Sequence, residues 1–348
     1  MIRLLVVDDS AVVRKIFTEE LSKYGDIEVI GSAVDPYAAR DKIAKLRPDV
    51  ITLDLEMPKM DGLSFLAKLM KHYPLPVVVV SSLTPKNSKA AIKALELGAV
   101  EVISKPGSAY STPDIARLAR AIRAAASAGI SKRQEAAEAP IMSAATCQSQ
   151  LLTTHKVLAI GASTGGTKAI ETVLLGLPIT TPGTVIVQHM PEYFTAAFAE
   201  RLNQICQMEV REARDGDSVV PGVALVAPGN KHMVLQQSGA YYLVRIKDGP
   251  PVHYQRPSVD VLFQSVARSA GHNAVGVLLT GMGADGAKGL LAMRQAGAHT
   301  IAQDEATSVV FGMPKEAIKL GAASEVLSLP RISQAILNHL SSAALKTT

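Results

Sequence analysis

Three polar residues in the second half of the chain carry the side chains that acyl transfer needs. Ser163, His189 and Asp285 each follow an apolar run that is typical of a buried strand. A serine hydroxyl can attack a carbonyl carbon, a histidine can take and return its proton, and an aspartate can orient the histidine and stabilise its charged form. If the three strands are parallel neighbours, we expect these side chains to meet at one edge of a sheet.

Each of the three residues also has a simpler interpretation. Ser163 could cap the following helix or belong to a phosphate-binding loop, His189 could be an ordinary buried polar residue, and Asp285 could make a turn or cap a helix. The glycines beside Ser163 favour a catalytic site, because they permit a tight turn and close approach of a substrate. The helix that begins there, and the glycine-rich turn around Met282, can direct backbone N–H groups at a developing oxyanion.

The order of these residues argues against three familiar motifs. Nucleophile-elbow hydrolases have the order serine, acid, histidine, whereas here the histidine precedes the acid. The glycine spacing does not fit a dinucleotide-binding fingerprint, and the lysine of a P-loop is missing.

A second set of polar residues follows the predicted strands of the first 120 residues. Asp8 and Asp9 follow the first strand, Asp54 follows the third, Ser81 ends the fourth and Lys105 ends the fifth. Clustered carboxylates require a hard cation such as Mg²⁺ or a neighbouring lysine. A neutralised aspartate could then attack a phosphoryl group, with the serine and the lysine holding the transferred oxygens. Asp9 and Asp54 could instead cap the helices that follow them.

Alternating strands and helices must position both sets of residues. Five strand–helix units at the N-terminus predict a flavodoxin-like, five-stranded parallel sheet covered on both faces. The predicted strands are residues 3–7, 27–33, 49–53, 77–80 and 100–103, and the predicted helices are 12–24, 36–46, 63–72, 89–97 and 113–126.

After residue 156 the alternation resumes and predicts a second α/β domain with a mainly parallel, doubly wound sheet. Short strands and turn signals between residues 209 and 246 predict an attached β-hairpin region. The predicted strands are residues 157–160, 184–188, 209–212, 223–227, 241–246, 274–279 and 299–302, and the predicted helices are 168–175, 194–206, 259–270, 287–295 and 332–341.

Between the two domains the apolar pattern weakens into a polar segment that predicts a partly helical extension and a flexible linker. We therefore predict domains at residues 1–125 and 155–345, joined by a linker at 126–154. Cys147 in this linker is interpreted as an inert, exposed thiol.

Composition narrows the class of protein further. Apolar residues make up 48% and charged residues 19% of 348, and two cysteines are too few for a disulfide framework. No apolar run is long enough to insert into a membrane and no secretory signal is evident, so we expect a cytoplasmic protein. The formal charge is +5, but the absence of tryptophan and an aromatic content of 4% argue against nucleic-acid binding.

The first domain resembles the response-regulator receiver family. The resemblance rests on Val7-Asp8-Asp9-Ser10, Leu53-Asp54-Leu55-Glu56-Met57-Pro58, Met60-Asp61-Gly62, Ser81-Ser82 and Lys105-Pro106. It implies that Asp54 is the phosphoacceptor, with a chemotaxis histidine kinase as phosphodonor. It also implies that Asp8, Asp9, Asp54 and the backbone carbonyl of Glu56 surround Mg²⁺, and that Ser81 and Lys105 are the switch residues.

The second domain resembles the catalytic domain of the chemotaxis methylesterase (CheB) family. The resemblance rests on Ile160-Gly161-Ala162-Ser163-Thr164-Gly165-Gly166, Gln188-His189-Met190-Pro191, Ala227-Pro228-Gly229, Arg256-Pro257-Ser258-Val259-Asp260 and Leu279-Thr280-Gly281-Met282-Gly283-Ala284-Asp285-Gly286. It implies that Ser163 is the nucleophile, His189 the base and Asp285 the orienting acid, with Thr164 and Met282 lining the site.

The combined resemblance implies a phosphorylation-regulated esterase without a cofactor of its own. Its expected substrates are glutamate γ-methyl esters on methyl-accepting chemotaxis receptors, and it is expected to deamidate certain receptor glutamines through the same acyl-enzyme on Ser163. We expect the unphosphorylated receiver to restrict receptor access to Ser163. Two alternatives stay open: a transcription factor with a DNA-binding output domain, and a binding module that keeps the fold without using Ser163.

Overall fold

The computed structural model describes residues 1–58, 60–82, 84–105, 112–128 and 155–344. The chain divides into two compact units, Met1–Ser131 and Lys132–Thr348. Most of the predicted linker, including Cys147, lies outside the described residues, as do Pro106 and residue 345. The predicted domain limits therefore stay predictions.

The first unit contains the predicted five-stranded parallel sheet, in the order β2-β1-β3-β4-β5. All residues of β3 and β4 are buried, as expected for central strands covered by helices on both faces. The strands are β1 (Ile2–Val7), β2 (Ile27–Ala33), β3 (Val50–Asp54), β4 (Val77–Ser81) and β5 (Glu101–Ser104). The helices are α1 (Ala11–Leu21), α2 (Pro36–Leu46), α3 (Gly62–His72), α4 (Pro85–Glu96) and α5 (Thr112–Ser127).

The helix caps of this unit decide one of the open alternatives. Ser10 caps α1 by accepting a hydrogen bond from the Val13 N–H, and Asp61 caps α3 by accepting one from the Ser64 N–H. The interpretation of Asp9 and Asp54 as helix caps is therefore wrong, and both carboxylates remain available at the edge of the sheet.

The second unit is built on a seven-stranded parallel sheet, in the order β14-β13-β12-β6-β7-β9-β8, with a separate β10–β11 hairpin. The strands are β6 (Val157–Ala162), β7 (Thr184–Gln188), β8 (Glu209–Glu212), β9 (Val223–Val226), β10 (His232–Ser238), β11 (Tyr241–Lys247), β12 (Ala274–Leu278), β13 (His299–Gln303) and β14 (Glu325–Leu327). The helices are α6 (Gly166–Leu175), α7 (Phe194–Ile205), α8 (Val259–Ser269), α9 (Ala287–Gln295), α10 (Met313–Lys319) and α11 (Leu329–Ala344), with a short 3₁₀ turn at Gly271–Asn273.

The predicted hairpin region was too wide. Strands β8 and β9 join the main sheet as parallel strands, and only β10 and β11 pair in antiparallel fashion. Strand β8 has only four residues and lies at the sheet edge, where the partly exposed pattern resembles that of a hairpin strand. Strands β10 and β14 and helix α10 were not predicted, because each lacks a long apolar period.

Close packing at two glycines brings the start of α8 to the carboxyl edge of the main sheet. Val259, the first residue of α8, lies against Gly161 at the end of β6, where a Cβ atom would overlap its side chain. A Cβ on Gly286 would likewise lie 2.6 Å from Val259. The N-terminus of α8 is therefore wedged between the segments that carry Ser163 and Asp285.

Among the described helices, none combines the length and apolar character needed to cross a membrane.

Candidate functional site

The three predicted catalytic residues follow three neighbouring strands. Strand β6 pairs with β12 on one side and with β7 on the other, and both pairs are parallel. Ser163 directly follows β6, His189 directly follows β7, and Asp285 lies in the loop after β12. The neighbouring, parallel arrangement expected from the sequence is confirmed, so the three segments share one edge of the sheet.

Ser163 lies in a tight turn that is fixed by its backbone. Its N–H donates to the Thr280 carbonyl at 3.0 Å, and its carbonyl accepts from the Gly166 N–H at 2.7 Å and from Nε2 of Gln188 at 2.9 Å. The N-cap of α6 is Gly165, with φ of 77°, and no side chain caps this helix. The interpretation of Ser163 as a helix cap is therefore wrong, and its hydroxyl is left for other chemistry.

His189 and Asp285 form a short hydrogen bond away from water. Nε2 of His189 lies 2.7 Å from Oδ2 of Asp285, and the two side chains are 4% and 2% exposed. The backbone N–H of His189 donates to the Ala162 carbonyl at 3.1 Å, which holds the histidine beside the Ser163 turn. Within the part of the chain that the structure describes, Nδ1 of His189 is buried without a hydrogen-bond partner. When Nε2 carries the hydrogen that Asp285 accepts, Nδ1 has the free lone pair of a general base.

Asp285 is held by four donors. Oδ2 accepts from His189 and from the Val259 N–H at 2.8 Å, and Oδ1 accepts from Oγ of Ser258 at 2.8 Å and from the Asp260 N–H at 2.9 Å. Burial acts to raise the pKa of Asp285, but its hydrogen bond and charge interaction with His189, together with the two N–H groups of α8, outweigh burial and lower that pKa. The carboxylate is thus kept ionised beside the imidazole.

The turn after β12 packs directly against Ser163. A Cβ atom on Gly281 would lie 2.7 Å from Cβ of Ser163 and would overlap Sδ of Met313. Met282, the next residue, is 37% exposed and lies at the surface beside the Ser163 turn. Thr164 is buried, and its carbonyl accepts a hydrogen bond from Oγ of Thr280 at 3.0 Å. Both predicted site-lining residues therefore lie on the segments that flank Ser163.

Two residues that support the site were missed by the sequence reasoning. Ser258 caps α8 by accepting from the Val261 N–H and at the same time donates to Asp285. A serine directly before a predicted helix is a cap signal, but its second role depends on a contact 27 residues along the chain. Gln188 ends a buried strand, and no sequence signal indicates that its side chain holds the Ser163 carbonyl.

In the first unit, acidic residues converge at the carboxyl edge of the sheet. Carboxylate oxygens of Asp8, Asp9 and Asp54 lie within 4.8 Å of one another. Nζ of Lys105 lies 2.6 Å from Oδ2 of Asp54 and 2.9 Å from Oδ2 of Asp8. The Glu56 N–H donates to Oδ1 of Asp54 at 3.1 Å. Three carboxylates at this spacing fit a hard divalent cation that prefers oxygen ligands.

The charges of this cluster are strongly coupled. Burial, and to a smaller degree the charge of Asp8, raises the pKa of Asp54, while Lys105 opposes that rise. Burial acts to lower the pKa of Lys105, but its hydrogen bonds and charge interactions with Asp54 and Asp8 prevail and raise it. Ser81 is fully buried beside them, and its Oγ has no partner among the described residues.

Two protein-family models match the chain, the response regulator receiver domain over residues 4–116 and the CheB methylesterase over residues 158–336. The chain belongs to the CheB methylesterase family. The protein-glutamate methylesterase/protein-glutamine glutaminase 2 of Syntrophus aciditrophicus (strain SB) is 59% identical over 337 residues, which cover 97% of this chain and 98% of that protein. The protein-glutamate methylesterase/protein-glutamine glutaminase of Escherichia coli (strain K12) is 53% identical over 344 residues, 98% of this chain and 97% of that protein.

A solved structure is similar to the second unit. The crystal structure of the Thermotoga maritima CheB methylesterase catalytic domain is 36% identical, with a TM-score of 0.52, and covers 53% of this chain and 98% of that one. The sequence motifs indicated that the first domain resembles response-regulator receivers and the second resembles CheB methylesterases. Both resemblances are confirmed. The alternative of a DNA-binding output domain is wrong, because a methylesterase domain occupies that part of the chain.

Proposed function

We propose that this protein is a phosphorylation-regulated serine esterase that hydrolyses glutamate γ-methyl esters on methyl-accepting chemotaxis receptors. The observation that supports this most strongly is the buried 2.7 Å hydrogen bond between Nε2 of His189 and Asp285, at the sheet edge that carries Ser163. The same chemistry with ammonia as the leaving group would deamidate receptor glutamines. The buried hydrogen bond between His189 and Asp285 beside Ser163 favours an enzyme over a binding module that would leave Ser163 unused.

In the proposed reaction Ser163 is the nucleophile. Its Oγ attacks the ester carbonyl carbon while Nδ1 of His189 takes the hydroxyl proton, giving a tetrahedral oxyanion. When the C–O bond to the methoxy group breaks, His189 returns the proton and methanol leaves. Water then attacks the acyl-enzyme with His189 as base, which releases a glutamate carboxylate and restores Ser163.

Asp285 is the orienting acid in this proposal. Because its carboxylate is ionised and fixed by four donors, it can stabilise the positive charge that His189 gains in each half-reaction. We assign Thr164 and Met282 to the lining of the oxyanion site. The Gly166 N–H already donates to the Ser163 carbonyl, which leaves the turns at Thr164 and Met282 as the proposed source of oxyanion donors.

For the receiver we propose Asp54 as phosphoacceptor and Ser81 and Lys105 as switch residues. Asp8, Asp9, Asp54 and the backbone carbonyl of Glu56 would hold Mg²⁺, whose positive charge offsets that of the carboxylates and the incoming phosphoryl oxygens. Lys105 and Oγ of Ser81, which has no hydrogen-bond partner in the described part of the chain, would then bind phosphoryl oxygens once Asp54 is modified. This role gives a use to a buried hydroxyl that otherwise costs stability.

The remaining parts of the proposal concern organisation and partners. We assign the receiver to residues 1–125, the linker to 126–154 and the esterase to 155–345. The proposed phosphodonor is a chemotaxis histidine kinase, and the proposed location is the cytoplasm, where the receptor glutamates are reached without membrane insertion.

Methanol release from membranes that carry methylated receptors tests this function. We expect release by the full chain, a higher rate with a phosphodonor, and no turnover above background for the Ser163→Ala variant. Thermal unfolding and receptor binding of that variant should match those of the parent. If Ser163→Ala releases methanol at the parent rate, the proposed mechanism is wrong.

A further inference from the structure

A second histidine–aspartate pair lies directly behind Asp285. Nε2 of His253 lies 3.1 Å from Oδ2 of Asp260, with the His253 side chain 37% exposed and that of Asp260 only 4% exposed. The Asp260 N–H donates to Oδ1 of Asp285 at 2.9 Å. The pair thus forms a connection from the buried carboxylate of the esterase site to solvent.

Asp260 is fixed as firmly as Asp285. Its Oδ1 accepts from the Gly289 N–H of α9 at 2.6 Å, while its own N–H belongs to the first turn of α8. A Cβ atom on Gly289 would lie 3.1 Å from both Cα and Oδ1 of Asp260, so α9 packs closely at this point. The position of this carboxylate is therefore set by two helices and the loop that carries His253.

A metal ion does not explain the pair. Ligand atoms of His253, Asp260 and Asp285 do lie within 4.8 Å of one another. However, the two oxygens of Asp285 already accept four hydrogen bonds, which use the lone pairs that a cation would need. The arrangement fits a charge-balancing pair better than a ligand set.

Asp260 and Asp285 are two buried carboxylates that lie close together, so the charge of each affects the other. Burial raises the pKa of Asp260, the Gly289 N–H lowers it, the charge of Asp285 raises it further, and His253 opposes this. The Asp260 carboxylate therefore places a second buried negative charge beside Asp285. A proton on His253, whose ring lies 3.1 Å from Asp260, would offset that charge.

We infer that His253 and Asp260 are positioning residues that act through Asp285 and set the pH range in which His189 serves as base. This inference rests on the proposed roles of Ser163, His189 and Asp285. Other charged or titratable side chains on the surrounding elements include His232 of β10, Asp248, Tyr254 and Arg256 of the loop before α8, Arg268 of α8, Lys288 and Arg294 of α9 and Glu192 of the loop after β7.

Most of these neighbours are engaged elsewhere. Nε2 of His232 lies 3.0 Å from the Pro250 carbonyl, and its Nδ1 accepts from the Ser258 N–H at 3.3 Å. The guanidinium of Arg256 binds Asn230 and the Gly249 carbonyl, and Glu192 also contacts Asn230. Tyr254 and Lys288 are exposed, so solvent screens their influence. Asp260 and His253 are the pair in direct line with Asp285.

The test is the pH dependence of kcat/KM for methanol release by the full chain, measured without a phosphodonor. Asp260→Asn keeps an acceptor for Gly289 but removes the negative charge, so the acid limb should move down by about half a pH unit. His253→Gln keeps a donor for Asp260 but removes a side chain that can carry positive charge, so the limb should move up by a similar amount. In the double variant, which lacks both charged groups, the two opposite shifts should largely cancel and the limb should lie near that of the parent.

Asp248→Asn is the matched control. This exposed carboxylate lies on the same loop as His253 and pairs with Lys231, and its replacement should leave the limb in place. Each profile is scaled to its own plateau, so partial loss of folded protein does not move the limb. Shifts of the same sign in both single variants, or no shift in either, would overturn the inference. Failure of the proposed function is distinct: it would appear as turnover that survives Ser163→Ala.

Discussion

Asp285 binds His189 through Nε2 at 2.7 Å, and Nδ1 is the ring nitrogen left without a hydrogen-bond partner among the described residues. The aspartate is itself anchored by the first two N–H groups of α8 and by Oγ of Ser258. The tautomer of the proposed base is therefore determined by a helix that carries none of the three proposed catalytic side chains.

The Asp285→Asn variant should lower kcat by about 10³- to 10⁴-fold. Both oxygens of Asp285 accept hydrogen bonds, so the NH₂ group of an asparagine would face donors in place of one oxygen. The neutral amide also cannot stabilise the positive charge of a protonated His189. Methanol release from methylated receptor membranes measures the loss, and circular dichroism checks the fold. A variant that keeps more than a tenth of the parent kcat would contradict the role of Asp285.

The Ser258→Ala variant removes only one of the four donors to Asp285. We expect a decrease of about tenfold in kcat, the size of effect for one hydrogen bond to a charged group. Ser258→Gly also removes the hydroxyl but leaves a residue that is well tolerated at an N-cap, so an equal decrease in both variants would assign the effect to the hydrogen bond and not to helix capping. A decrease as large as that of Asp285→Asn would argue for a collapse of the α8 start instead.

Replacement of Gly281 by alanine should displace Ser163, because the new methyl group would lie 2.7 Å from its Cβ and would overlap Met313. We expect about a hundredfold loss of esterase activity with a smaller effect on unfolding. Gly239→Ala, in the turn between β10 and β11, is the matched control: its Cβ meets nothing within 4 Å, but φ is +60°. That variant should lose about 1 kcal/mol of stability from backbone strain and keep most of its activity. Equal activity of the two variants would contradict the expectation that a methyl group at residue 281 displaces Ser163.

Stimulation by a phosphodonor should depend on Asp54 and not on carboxylates outside the cluster. Asp54→Asn should keep the basal rate of methanol release and lose its increase with acetyl phosphate and Mg²⁺. Asp61→Asn is the control, since Asp61 is exposed and caps α3. A stimulated Asp54→Asn variant would move the phosphoacceptor to another residue.

The second unit should lose stability as the pH falls from 6.5 towards 4. His339 stacks on His299 with 4.2 Å between ring centroids. Burial first, and then the charges of His299 and Lys156, lower the pKa of His339 to about 4. The unfolded chain therefore takes up a proton in this range that the folded chain excludes, so the stabilising contribution is full above pH 6.5 and declines below it.

Urea unfolding at pH 5 and pH 7 measures this effect. His339→Phe keeps a ring for the stack and should reduce the difference between the two free energies of unfolding. His272→Gln replaces an exposed histidine and should leave the difference unchanged. An undiminished difference in His339→Phe would assign the pH dependence to other groups.

The sequence allowed the strand ends to be recognised because polar residues interrupt apolar runs at those points. This was sufficient to bring Ser163, His189 and Asp285 to one edge of a sheet, and the parallel pairing of β12, β6 and β7 confirmed that arrangement. The contacts of Asp285 with Ser258 and of Asp260 with His253 could not be predicted. They depend on how α8 packs against Gly161 and Gly286, and local patterns carry no information on that packing.

The hairpin region shows a different limit. Strands β8 and β9 are short and follow turn signals, so their local pattern resembled that of β10 and β11. Their parallel pairing in the main sheet depends on the crossover through α7, a long-range feature of the topology. The positions of the strands along the chain were therefore predicted better than the strands with which they pair.

The distribution of the esterase residues over β6, β7 and the loop after β12 has a consequence for protein synthesis. The first unit, Met1–Ser131, is synthesised while more than half of the polypeptide is still to come. Ser163 and His189 emerge next, but the aspartate that orients the histidine is more than ninety positions further on, as the separation of 96 residues in their hydrogen bond records. If the proposed roles hold, a chain that ends before Asp285 should lack esterase activity even though it already contains Ser163 and His189.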